Sequence, residues 1–428
     1  ISIGKNMINS DKFHKSRMRK EKFFQFYGII AILMALSFLI ILAYTIGSKG
    51  LPGFFQTYIN ASFDISQEYV DPENTGDEEV IKKGKYRKIF KEGVINIFPE
   101  AADNRATYRQ ASKIFSKGVS FQLRNMVLEN NDLIGAKINI EVLASSEIDQ
   151  LHKRNIDRNL PENLRPVSDW QLKSYDQLIQ QGLIKTKFNV NFFTKGDSRN
   201  PEEAGILGAL VGSALTLLIT LVLSFPLGVA TAIYLEEFAP KNKLTDIIEI
   251  NINNLAAVPS IVFGLLGLAV ILNIFGIPRS IPLAGGLVLT LMTLPTVIIS
   301  SRASLRSVPP SIREAALGMG ASKQQAVFHH VVPSAAPGMF TGTIIGMAQA
   351  LGETAPLLMM GMVAFIVEVP QSIMDPATVL PAQVYLWADS PERGFEEKTS
   401  AAIMTLVVFL IFMNSLAVYC RKKLEKKW

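Results

Sequence analysis

Residues 205–234 read GILGALVGSALTLLITLVLSFPLGVATAIY. No charge interrupts the run, and it exceeds the roughly 20 mainly apolar residues that a helix needs to cross a hydrocarbon core of about 30 Å. It is long enough, with Pro226 inside it, to tilt or break. Comparable runs stand at Phe23 to Ile46, Leu255 to Phe275, Leu283 to Ile299, Met339 to Met362 and Ala401 to Val418. With 49% hydrophobic and 19% charged residues and a mean hydropathy of +0.25, the 428-residue chain is too apolar for an ordinary soluble protein. Six membrane-spanning helices are therefore expected, with lipid as their solvent.

The first run follows Lys12, Lys15, Arg17, Arg19, Lys20 and Lys22. It is longer than a signal-peptide core and reads as a retained anchor. Because the chain opens on Ile1, it reads as a fragment or a non-standard initiation, with Met7 a candidate start. Orientation follows from Lys and Arg in the short flanks. The N-terminal cluster, Lys241, Lys243, Arg302, Arg306, Arg313, Lys323 and the tail Arg421, Lys422, Lys423, Lys426 and Lys427 fall on one side; the other short loops hold only Arg279, Arg393 and Lys398. Both termini are expected in the cytoplasm and residues 51–200 outside. This asymmetry accounts for the net charge of +6, so nucleic acid is not invoked as a partner. The single cysteine, Cys420, permits no disulfide within the chain.

The chain thus divides into a basic N-terminus with the first span (1–50), an inserted polar domain (51–200) and a five-helix core (201–428). In the insertion, 136–143 and 187–193 alternate as strands, 107–128 reads as a helix, and Ser168 with Gln171 forms a capping box for a helix closed by Gly182. No catalytic or metal-ligand arrangement stands out there, and a structural cap or partner-docking module is expected.

Residues 307–337, SVPPSIREAALGMGASKQQAVFHHVVPSAAP, form a loop of about 303–337 with its own punctuation. Pro309 and Pro310 end the fourth span, and Ser311 with Glu314 reads as a capping box opening a short helix that Gly318 and Gly320 stop. Ser322 with Gln325 opens a second, expected to end before Pro333. Ile312, Ala315, Ala316 and Met319 give the first helix a partly apolar face, and such a face needs a partner.

This spacing resembles the loop shared by inner-membrane permeases of ABC importers: Glu-Ala-Ala, three residues, Gly, nine residues, a residue usually Ile, one more, Leu, Pro. Glu314, Ala315, Ala316, Gly320 and Pro333 match in register, while His330 and Val332 replace the Ile and Leu. The resemblance implies that the first short helix seats in a groove of the ATPase, with Ser311, Arg313, Glu314, Ala315, Ala316, Gly320 and Pro333 as coupling residues. Residues 254–267, 294–296 and 350–358 are further similar to the A-type permease of phosphate-specific transport. Ala257 stands where that family often has Gly, and Gln349 where it often has Arg. The fold implied is an all-α polytopic membrane protein of importer-permease type with an inserted α/β extracytoplasmic domain, in the bacterial inner membrane. Implied partners are a homologous permease, two copies of an ABC ATPase carrying ATP and Mg, and a periplasmic phosphate-binding protein. The chain itself is expected to bind no cofactor and catalyse nothing.

Charges inside spans are costly and usually face a bundle interior or a watery cavity. Glu353, beside Gly352, Thr354 and Pro356, reads either as a pathway or gating residue or as an internal ion-pair partner for Arg302, Arg306 or a second permease. Gln349 is placed with the pathway. Arg302 and Arg306 also read as topology-setting charges. Gly318 to Lys323 lacks the spacing of a phosphate-cradling loop, and the adjacent His329 and His330 do not face each other on a helix. Gly208 and Gly212 suit either dimerisation or ordinary bundle contacts. Import of sulfate or molybdate, and a membrane-anchored sensor with 51–200 as receptor, are the alternatives.

Overall fold

The computed structural model of the protein describes residues 2–424; Lys426 and Lys427 lie outside the described residues. Helix α1 (Ser2–Gly50) carries the first apolar run, whose side chains are exposed on every side; none of its most apolar window is buried. Such a surface is compatible only with lipid or another membrane helix. It meets the bundle at its end, where a Cβ on Gly50 would lie 2.9 Å from the Ser400 carbonyl.

The insertion is built on a three-stranded antiparallel sheet ordered β2-β1-β3, with β1 (Phe55–Asp64) between β2 (Lys137–Leu143) and β3 (Ile184–Phe188). Strand β1 turns Ile59, Ala61 and Phe63 inward with period two. Helices α2 (Tyr86–Ile97), α3 (Arg105–Ser112), α4 (Val119–Glu129), α5 (Ser146–His152) and α6 (Asp169–Gln180) complete the domain. Helix α2 packs so tightly over β1 that a Cβ on Gly93 would fall 2.4 Å from the Phe63 ring. The capping box of Ser168 and Gln171 opens α6, and Gly182 follows it at φ +68.

Two expectations for this domain are corrected. The helix expected over 107–128 is split, because Ile114 and Phe115 are drawn into the core and Ser116 N–H bonds to the Leu143 carbonyl beside β2. The strand expected over 187–193 stops at Phe188. Asn189 then accepts from Phe192 N–H and starts a helical turn that buries Phe192 between the domain and the bundle.

The bundle comprises α7 (Leu207–Ile233), α8 (Lys243–Ala256), α9 (Ser260–Leu266), α10 (Pro282–Ser307), α11 (Pro310–Gly318), α12 (Val332–Gly352), α13 (Ala355–Met359), α14 (Leu380–Ala388) and α15 (Gly394–Leu424). Among the described residues five helices are long and apolar enough to cross a membrane, six if α8 and α9 with its extension count as one span. Helix α10 is the most buried, at 61% of its apolar window, and lies between α7 and α12. Close approach depends on small residues. A Cβ on Gly228 would meet Val297 at 2.7 Å, one on Gly342 would meet Ser300 Oγ at 1.8 Å, and one on Gly212 would meet the Thr378 carbonyl at 2.1 Å. Gly212 therefore serves packing within the chain.

Two spans, the third and the fifth, are punctuated differently from expectation, each time by proline. The third bends by 106° between Ala256 and Ser260, where Pro259 takes the cap of α9. The fifth ends at Gly352 rather than reaching Met362; a continuing helix would drive the Pro356 ring into the Gly352 carbonyl. Helix continues through Pro333 instead of ending before it. A π-turn over Val327–Val331 inserts an extra residue just ahead and breaks the regular bonding ladder where the ring would otherwise clash.

Candidate functional site

Helix α11 opens on Pro310 with Pro309 at its cap and no side-chain capping bond, so the capping box expected at Ser311 and Glu314 does not form. Proline already supplies the helical φ and lacks the N–H that a cap would satisfy. Ala316 is buried, and the half-buried Ile312 packs against the apolar cluster that includes Ala232, Leu305, Val308 and Val331. Ser311, Glu314, Ala315, Leu317 and Met319 are exposed, Met319 at 85%. The apolar face expected from Ile312, Ala315, Ala316 and Met319 is thus divided: half holds the helix to its own bundle, and half is free.

The end of α11 is fixed by backbone chemistry. Gly320 N–H bonds to the Leu317 carbonyl at 2.9 Å and Ala321 N–H reaches back to Ala316 at 3.1 Å, with Gly320 at φ +88. These are the two bonds of a Schellman stop, which requires a left-handed residue at that position. Ser322 and Gln325 then form the expected capping box, and the helix runs on past the half-buried Pro333.

Arg313 turns inward. Its Nη2 lies 2.6 Å from Glu237 Oε1 and donates to the Leu305 carbonyl at 2.9 Å, while Nη1 donates to the Val308 carbonyl at 2.8 Å. Nearby, the buried Arg302 pairs with Glu249 of α8 at 2.6 Å and with Glu236 at 3.5 Å, and Arg306 donates to both oxygens of Glu236 at 2.9 Å. Arg302 and Arg306 are therefore engaged by Glu236 and Glu249, and among the described residues neither pairs with Glu353. Sequence reasoning missed these three carboxylates. The available signal was a pair of acids closing an apolar run, in a chain whose fourth span ends on Arg302 and Arg306 and whose next loop carries Arg313.

Glu353 occupies the break between α12 and α13, with extended backbone (φ −77, ψ 123). Glu353 and Thr354 are half-buried and Gln349 is exposed one turn earlier. Beside the break, Gly264 of α9 lets Pro356 approach: a Cβ there would lie 2.7 Å from Pro356 Cα. The third and fifth spans thus meet just beyond their breaks, through α9 and α13.

At the opposite end the domain is bolted to α15. Lys153 pairs with Asp149 at 2.7 Å and with Glu397 at 2.6 Å, and Gln150 donates to Glu397 at 2.7 Å. A cleft of about 1310 Å³ opens beside this joint, bordered by Lys113, Lys117, Arg393 and the buried Glu202. Burial, reinforced by Glu203 and Glu147, pushes the Glu202 carboxyl up to about 7.

Comparison with known proteins adds the following. Residues 224–426 match the family model described as binding-protein-dependent transport system inner membrane component, and residues 11–162 match a domain of unknown function. The chain is 30% identical over 253 residues to the phosphate transport system permease protein PstA of Xylella fastidiosa (strain 9a5c), covering 58% of this chain and 86% of that protein. It is 35% identical over 184 residues to the probable ABC transporter permease protein YqgI of Bacillus subtilis, covering 43% of this chain and 62% of that relative, less than two thirds of its length. Among solved structures, the inward-facing MetNI methionine ABC transporter matches with a TM-score of 0.42 at 20% identity, over 50% of this chain and 95% of that one.

Proposed function

This chain belongs to the inner-membrane permeases of binding-protein-dependent ABC transport systems, of the phosphate transport type, and on that premise we propose that it forms half of an ATP-driven pathway for inorganic phosphate. A homologous permease supplies the other half. Two ATPase copies hydrolyse ATP with Mg, and a phosphate-binding protein outside delivers the anion. The chain is a transmembrane subunit and not a catalyst. Both termini and the 303–337 loop lie in the cytoplasm in this reading, and the sheet domain lies outside, in keeping with the basic flanks.

The observation that carries the proposal is α11. Its free face presents Ser311, Glu314, Ala315 and Met319, while Ala316 and the Gly320 stop fix its position on the bundle. A helix held on one side and bare on the other suits an ATPase groove that grips it and moves it. Pro333 continues the following helix and acts at a distance from the groove. At the far end of the motion, the Glu353 break with Thr354 and Gln349 serves as the gating segment. Unwound backbone at membrane depth is tolerated where it borders a cavity or is buried in protein.

The test is phosphate uptake in vesicles holding the assembled complex. Glu314→Lys should abolish uptake while leaving insertion and folding intact, since surface changes cost within about 0.5 kcal/mol. Unchanged uptake would remove α11 from the coupling role.

A further inference from the structure

We infer that Glu237, with Glu236 and Glu249, forms a charged clasp that makes the coupling helix move as one body with the end of α7 and with α8, the first arm of the bent span. The inference rests on the importer reading for its purpose, though not for its geometry.

Between α10 and α11 only Val308 bonds its N–H back to α10, to the Leu305 carbonyl at 3.3 Å, and Pro309 and Pro310, which follow, have no N–H to add a second. The side-chain tie is made by Arg313. Its guanidinium is occupied by Glu237, the Leu305 carbonyl and the Val308 carbonyl. It thereby neutralises carbonyls at the end of α10, which carry partial negative charge, and holds α11 to α7 in the same grip. Glu236 and Glu237 lie in the π-turn Tyr234–Phe238 at the end of α7. Successive residues of a helical turn point in different directions, so Glu236 reaches Arg302 and Arg306 of α10 while Glu237 reaches Arg313. Arg302 closes the circuit by bonding Glu249 of α8.

No residue of α8 is buried, and it leads through the 106° bend into α9, which packs on α13 beside the Glu353 break. A displacement of α11 is therefore carried to α7 and α8 by forked charge pairs, whose geometry a point charge does not reproduce. Glu236, Glu237 and Glu249 are positioning residues, acting through Arg302 and Arg313.

Two readouts test the clasp separately from the import reading. In the solubilised full-length chain, spin labels replacing Met319 and Leu244 should report a narrow distance distribution. Glu237→Gln should broaden it, and the swap Glu237→Arg with Arg313→Glu should narrow it again. In the reconstituted complex, Glu237→Gln should lower phosphate moved per ATP hydrolysed at least tenfold, with the subunits still assembled and hydrolysis continuing. Arg313→Lys should retain only part of the wild-type coupling, because an ammonium lacks the fork. Distances unchanged by Glu237→Gln, or a swap no narrower than the single variants, would overturn the clasp. Retention of wild-type coupling by Glu237→Gln would do the same. Distances broadened by Glu237→Gln and narrowed by the swap, together with a wild-type complex that moves no phosphate, would sustain the clasp and overturn the import reading.

Discussion

Gly320 is the position where chemistry and sequence motif coincide. At φ +88 it supplies the left-handed turn of a Schellman stop, and any side chain there costs about 1–2 kcal/mol. Nothing lies within 4 Å of the site of its Cβ. Gly320→Ala should thus act through backbone alone: a modest drop in the thermal midpoint, with a larger loss of phosphate moved per ATP because the end of α11 frays. Asn at the same position should lose less, since it tolerates that conformation. Glu202 gives a pH prediction. Its ordinary value is 4.5 and burial pushes it up to about 7. The folded chain therefore holds a proton that the unfolded chain has released between those values. The contribution is fully present below 4.5 and is lost as pH rises through about 7, on the order of 3 kcal/mol in all. Midpoints of thermal inactivation at pH 5 and pH 8 should differ less for Glu202→Gln than for the parent.

Helices α10 and α12 touch through Gly338 and Gly342, where a Cβ would fall 2.3 Å from Ser304 Oγ and 1.8 Å from Ser300 Oγ. Gly342→Ala should cost about 1–3 kcal/mol by overpacking, and Ser300→Gly combined with it should restore part in a double-mutant cycle. The apolar runs and both capping boxes that formed, at Ser168 and Ser322, were legible because they depend on local periodicity and spacing. Breaks were less legible, because a proline within an apolar run is compatible with a kink, a stop or a π-turn, and tertiary packing decides among them. Pro356 produced a stop, Pro259 a bend and Pro333 a π-turn. Strand β1 was missed although Ile59, Ala61 and Phe63 alternate. The pairing of Arg302 with Glu249 was beyond reach, since 53 residues and a 106° bend separate them.

The molecule is tied at two ends. At one, the sheet domain is fixed to α15 through Lys153, Glu397 and Gln150, all nearly buried. Glu397→Ala leaves Lys153 with Asp149 and the Phe55 carbonyl and should cost about 3 kcal/mol, toward the low end for breaking a buried pair. Faster hydrogen exchange across 195–206 and β1 would register it. At the other end, α11 presents a bare face beside the Glu236, Glu237 and Glu249 clasp. What lies between is a bundle whose third and fifth spans are both broken, and whose α9 and α13 pack together beside Glu353. The single most direct check of this account is purification of the chain from native membranes in mild detergent, followed by reconstitution into vesicles supplied with phosphate-loaded binding protein and ATP. The account predicts that an ATPase and a second permease accompany the chain and that phosphate enters only with ATP. Recovery of the chain without an ATPase, and vesicles that take up no phosphate, would contradict it.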